Sequence, residues 1–96
     1  MTTPIPVRTY SKDPDAILDY WLDWSEWLSS GDGIEASSWF SSPTGLTIFD
    51  ASFGTAFALA WISGGTDGVD YLVTNRITTE DGRVEDRTFQ LAVVQR

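Results

Sequence analysis

Gly82 constrains this chain more than any other residue, because it decides how the two longest β-favouring segments can meet. Residues 69–79 and 83–95 flank Glu80-Asp81-Gly82. A two-residue Asp81-Gly82 turn would set Ile77 opposite Asp86 and Val73 opposite Gln90, mixing apolar and polar faces. A three-residue loop moves the register by one, which flips every side chain. Val73 then meets Phe89, Tyr71 meets Leu91 and Val69 meets Val93, while Arg76 faces Asp86 and Thr74 faces Thr88 on the other side. This register also puts Gly82 at the left-handed position of a type I turn with a G1 bulge, where glycine is favoured. A hairpin with one apolar face follows.

Similar punctuation runs through the chain from residue 31. Gly31-Asp32-Gly33, Ser42-Pro43-Thr44-Gly45, Ser52-Phe53-Gly54 and residues 63–68 mark turns. Their spacing is close to that of a sandwich or barrel, and the strands between them are expected at 34–41, 46–51, 56–62, 69–79 and 83–95. Residues 13–30 fit two patterns. Ile17, Tyr20, Trp21, Trp24, Trp27 and Leu28 lie on one face of a helix starting at Asp13-Pro14 and stopping at Gly31. A strand through residues 17–24 instead puts Leu18, Tyr20, Leu22 and Trp24 on one face and Asp19 and Asp23 on the other. Pro4 and Pro6 cannot donate to a ladder, so residues 1–12 read as an edge strand or an extended arm, with residues 13–96 forming one domain.

Ninety-six residues, 42% of them apolar and five of them Trp, predict a folded chain with one core. A chain this short leaves little room for a deep substrate cavity. Histidine and cysteine are both absent, which removes the commonest general base, the commonest metal ligand, disulfides and thiolate metal sites. No histidine is present to activate a Ser or Thr, and the single lysine, Lys12, lies in the proline-bearing segment. These gaps predict a protein that is not an enzyme and has no cofactor. A calcium loop at Asp13, Asp15 and Asp19 fails because the sixth position, where glycine is required, is Leu18. The residues 64–68 resemble a phosphate loop only in glycine content.

The net charge of −8 argues against nucleic acid, whose phosphates are bound by clustered Lys and Arg. The longest apolar run, residues 56–62, is too short for a membrane-spanning helix, and no signal pattern opens the chain, so a soluble compartment without membrane contact is expected. Each of the five tryptophans reads first as core, although at least one of the set is expected to be an exposed anchor. Contact residues are expected where the chain is least tied to the core. These are Ile5, Val7, Arg8 and Tyr10 in the first segment and Gly65, Thr66 and Asp67 in the loop 63–68.

Five segments in order, Leu18-Asp19-Tyr20, residues 23–28, residues 33–39, residues 43–48 and residues 74–83, resemble a family of small virion proteins of tailed bacteriophages and prophages. The family is described as fiber–tail adaptor or head–tail region proteins, and the resemblance covers roughly residues 11–95. It implies an Ig-like β-sandwich of about seven antiparallel strands. It also implies a strand near Ile17–Asp23 followed by a short helical turn at Trp24–Leu28. Function would be structural: docking of fibers or neighbouring subunits onto the tail or portal, in a symmetric multi-copy assembly within the virion, put together in the host cytoplasm. The implied partners are portal, tail, connector or fiber subunits. Trp21 departs from the family's pattern, where a smaller residue is common, and joins the expected contact residues. A capsid decoration protein and a carbohydrate-binding module of a fiber are the alternative functions.

Overall fold

A computed structural model of the chain describes residues 8–95. Seven strands run through them: β1 (Arg8–Lys12), β2 (Leu18–Asp23), β3 (Ile34–Ser42), β4 (Leu46–Phe53), β5 (Phe57–Gly64), β6 (Asp70–Thr79) and β7 (Val84–Val93). They form a four-stranded sheet in the order β1-β7-β6-β3 and a three-stranded sheet in the order β2-β5-β4. The two sheets face each other as a sandwich-like pair of layers, with one apolar face of each turned inward.

The β6–β7 hairpin has the three-residue register. Val73 pairs with Phe89, Tyr71 with Leu91, Arg76 with Asp86 and Thr74 with Thr88. The amide of Gly82 donates to the Thr79 carbonyl, and the amide of Thr79 to the Arg83 carbonyl. Gly82 has a φ of 86° and open space around the position a Cβ would take. Replacing it with alanine therefore costs only backbone strain, about 1–2 kcal/mol. A urea titration of Gly82→Ala is expected to show a lower midpoint with an unchanged slope, and Gly82→Asn a smaller shift.

Segment 13–30 contains no helix. Strand β2 pairs antiparallel with β5, Trp21 opposite Leu59 and Tyr20 opposite Ala60. At Trp24–Leu28, where a short helical turn is expected, the chain makes a single hydrogen-bonded turn. The amides of Trp27 and Leu28 both donate to the Trp24 carbonyl, at 3.0 and 3.1 Å, and the pattern does not propagate. Trp24 is withdrawn from solvent there, with 0% exposure, and Tyr20, Leu22, Trp27 and Leu28 pack against the core around it.

The expectation of wholly antiparallel strands needs correction at β1, which runs parallel to β7, Arg8 beside Phe89 and Lys12 beside Val93. Turn signals govern strands that follow one another as hairpins. β1 does not pair with its successor: the chain crosses to β2 in the other sheet, so hairpin reasoning does not fix its direction. β4 also runs further than expected, because Asp50 takes a φ of 48° in a bulge between Phe49 and Ser52 and pairing resumes beyond it.

The interior has two parts. Ile62, Tyr71, Val73, Phe89, Leu91 and Val93 form one, and Trp24, Ile34, Ala58 and Ile77 form the other, with Trp39 packed against both. Tyr10, Tyr20 and Phe89 add a ring cluster with centroids 5.3–5.6 Å apart. One polar network crosses it: the Trp24 indole donates to Asn75 Oδ1 at 3.0 Å, and Asn75 Nδ2 donates to Ser37 Oγ and the Ser38 carbonyl.

Candidate interaction surface

β5 reads as apolar on both faces, and the two faces have different fates. Ala58, Ala60 and Ile62 point inward and are fully buried. Phe57, Leu59 and Trp61 alternate with them and point outward, where a two-layer sandwich supplies no third layer to cover them. The register places Trp21 beside Leu59, Asp19 beside Trp61, Asp23 beside Phe57, and Phe49 on the far side of Trp61. The rings of Trp21 and Phe57 stack at 5.8 Å. Trp21 is 54% exposed and Trp61 36%. The solvent face of the three-stranded sheet is thus an apolar, largely aromatic strip edged along β2 by Asp19 and Asp23.

The solvent face of the four-stranded sheet differs in character. Phe40, Leu72 and Val84 are exposed there, but separated by polar pairs. Thr74 and Thr88 share a 2.8 Å hydrogen bond, and Arg76 binds both oxygens of Asp86 at 2.8 and 3.0 Å while lying over the Phe40 ring. Arg76, Val84, Glu85 and Asp86 border a shallow, open depression. That face is already internally paired.

The contact residues expected from the sequence are dispersed. Ile5 and Val7 lie outside the described residues. Arg8 is exposed at the start of β1, whereas Tyr10 turns inward to Tyr20 and Phe89. Trp21 stands in the aromatic strip. The loop 63–68 is far more tied down than its composition suggests. Gly65 donates to the Gly45 carbonyl, Thr66 to the Tyr71 hydroxyl and Gly68 to the Val93 carbonyl, while Asp67 Oδ1 accepts from the Gln95 amide. A Cβ on Gly65 would come within 2.6 Å of Val93 Cγ2. Phe49, Phe57 and Leu59 were not singled out by sequence. Their signal was present, since large residues at 57, 59 and 61 alternate with small ones at 58 and 60.

Among the described residues no group of three acidic side chains is placed to hold a metal ion. Asp13 Oδ1 instead accepts from the Asp15 amide, closing a local turn. The carboxyls of Asp23, Asp32 and Asp86 are perturbed. The Ser25 hydroxyl and amide hold Asp23 below the usual carboxylate value, and the Arg76 guanidinium does the same for Asp86. Burial pushes Asp32 up, but the Thr79 hydroxyl, the amides of Asp81 and Gly33 and the charge of Arg83 outweigh it, so its native value is also lowered. A carboxyl whose native pKa is depressed binds protons more weakly folded than unfolded. Its stabilisation is complete above the unfolded value of 3.8 and is lost as pH falls through the native one. Urea midpoints are expected to fall as pH is lowered from about 5 to about 2, with a shallower fall in Asp32→Asn and a salt-sensitive part from the exposed Arg76–Asp86 pair.

What these observations define is a small, two-layer β protein with one open aromatic face, and with neither histidine nor cysteine to build a reactive centre. Residues 12–92 match the sequence profile of the podophage GP4 fiber-tail adaptor protein gp77 family. The chain belongs to that family, and its role is structural, in the tail region of a phage. No curated protein sequence matches it.

Proposed function

We propose that this chain is a non-enzymatic virion adaptor that joins fibers or neighbouring subunits to the tail or portal of a podophage, in several symmetry-related copies. The observation that carries this reading is the family match over residues 12–92. The architecture is in keeping with it. Two packed sheets form a rigid body, and affinity would come from side chains already held in place on a sheet surface. Assembly would take place in the host cytoplasm, with other virion proteins as the partners and neither cofactor nor nucleic acid involved. Of the two readings of residues 1–12, we take the edge strand: β1 (Arg8–Lys12) borders the four-stranded sheet of the domain spanning 13–96 and would offer its open edge to a neighbour.

We also read the sandwich as Ig-like. Strand order β2-β5-β4 against β7-β6-β3 corresponds to the B-E-D and G-F-C sheets of that fold, with the first strand transferred to lie beside the last. Tyr71, near the start of the sixth strand, accepts a hydrogen bond from the backbone of Thr66 at 2.9 Å, the arrangement of a tyrosine corner.

The test is a phage in which the gene carries an amber codon, grown in a non-suppressing host. The adaptor reading expects particles with filled heads and tails but without fibers, restored by supplying the chain in trans. Fibers present at normal occupancy in particles shown by mass spectrometry to lack the chain would refute it.

A further inference from the structure

We propose that the solvent face of the β2-β5-β4 sheet is a protein-docking surface. Its occupant would be a segment of a different tail-region protein that carries apolar side chains together with Arg or Lys. This rests on the adaptor reading and adds to it a face and a partner chemistry.

The apolar half of the proposal follows from the strip itself. Trp21, Phe57, Leu59, Trp61 and Phe49 are contiguous across three strands, the two tryptophans exposed and the other three half-buried, and a contiguous apolar patch marks interfaces where scattered surface residues do not. The charged half follows from where the cations are. No Lys or Arg occurs between residues 13 and 75, a stretch holding ten of the 14 acidic residues, so no strand of this sheet carries a positive charge. Asp19 and Asp23 stand directly beside Trp61 and Phe57. A guanidinium or ammonium entering there would meet carboxylates and aromatic ring faces together, a combination in which charge pairing and cation–π attraction reinforce each other.

A second copy of this chain is a poor occupant. A two-fold contact through the strip would set an acidic row against its own image with no base between them. The arginines of β6, β7 and the loop between them are already engaged. Arg76 is held by Asp86, Arg83 lies over Trp27 and donates to Ser29, and Arg87 lies over Trp24 and donates to the Asp23 carbonyl. A neutral glycan could stack on the tryptophans but would supply no charge to the acidic edge.

The experiment compares phages carrying Trp21→Glu, the double change Asp19→Asn with Asp23→Asn, and Leu72→Ser on the opposite sheet as a control. Each purified chain is checked by thermal melting, sedimentation and a glycan array, and its amount in purified particles is measured by mass spectrometry against the capsid protein. Trp21→Glu and Leu72→Ser are expected to melt close to wild type, since about half of each side chain is exposed, and the double Asn variant slightly lower, since the Asp23 carboxylate accepts from the Ser25 amide. Trp21→Glu is expected to reduce incorporation by at least about tenfold, as loss of an interface anchor does. The double Asn variant should be reduced less, and washed off more readily by salt than wild type, while Leu72→Ser is retained. Retention of Trp21→Glu at the wild-type level, or equal loss of Leu72→Ser, would overturn the assigned face. Self-association of the wild-type chain that Trp21→Glu abolishes would make a second copy the occupant, and a glycan hit lost in the same variant would make it a sugar. Absence of the wild-type chain from particles would instead remove the adaptor reading on which the proposal stands.

Discussion

Trp24→Ala is expected to bring this protein to the edge of unfolding in water. The indole has 0% exposure and anchors the end of the sandwich where the chain leaves β2. Its ring meets Trp27 edge-on at 5.5 Å and lies under the Arg87 guanidinium at 4.2 Å. Truncating a buried tryptophan to alanine costs about 3–5 kcal/mol through lost burial and the cavity left behind. Here the loss also strands Asn75 Oδ1, which accepts the indole proton in the interior, and an orphaned buried acceptor adds roughly 1–3 kcal/mol. Domains of this size are stable by about 5–15 kcal/mol, so the combined loss takes up much or all of the margin. The companion variant Trp24→Phe separates the two contributions, since it keeps most of the volume and removes the donor. Urea titrations should rank wild type above Trp24→Phe and Trp24→Phe well above Trp24→Ala. Equal midpoints for Trp24→Phe and wild type would mean that the bond to Asn75 contributes nothing.

The second large effect is expected at Lys12. A lone lysine at the end of an edge strand would ordinarily reach into water, yet Lys12 is only 1% exposed. Its ammonium donates to the carbonyls of Asp13 and Gly64 at 2.8 and 2.7 Å, with Pro14 a longer contact at 3.4 Å. The side chain thereby fastens the end of β1 in one sheet to the end of β5 in the other. Burial lowers its pKa, and the nearby charges of Asp13 and Asp15 partly restore it. Lys12→Met keeps the length and apolar stem but leaves backbone carbonyls that no second substitution can remove. A cost of about 2–3 kcal/mol is expected, in the range for hydrogen bonds to charged groups. Hydrogen exchange should show it locally, with protection lost first along β1. The native pKa lies below that of the unfolded chain, so the folded form releases this proton first. The lysine's contribution to stability therefore rises with pH between the native value and 10.5. Lys12→Met should remove that alkaline component.

These two residues also mark where sequence reasoning stops. The β6–β7 register was legible because glycine, turn length and alternating apolar positions all pointed to one pairing, and local rules suffice for a hairpin. β2 was half legible, its alternation being interrupted by Trp21 on the polar face; the partner strand β5 resolves the ambiguity by offering a ladder. The parallel placement of β1 was not legible, since it depends on a crossover between sheets. Lys12 stood out only as the single lysine of the proline-bearing segment, because nothing local announces that three carbonyls converge on it. The same limit applies to the surface. Glycine content made the loop 63–68 read as loosely held, whereas the Tyr71 hydroxyl and the Val93 carbonyl bind it from distant strands. Trp21 read as a contact residue through its departure from the family pattern. The alternation at 57–61 was in the sequence, but that it neighbours Trp21 and Phe49 follows only when β2, β5 and β4 are laid side by side.

The measurement that bears most directly on the adaptor reading is cryo-electron microscopy of the intact particle at a resolution that locates this chain. Density is expected in a ring of copies at the tail or portal, touching fiber or connector subunits. Density spread over the capsid lattice would make the chain a decoration protein and contradict the adaptor reading.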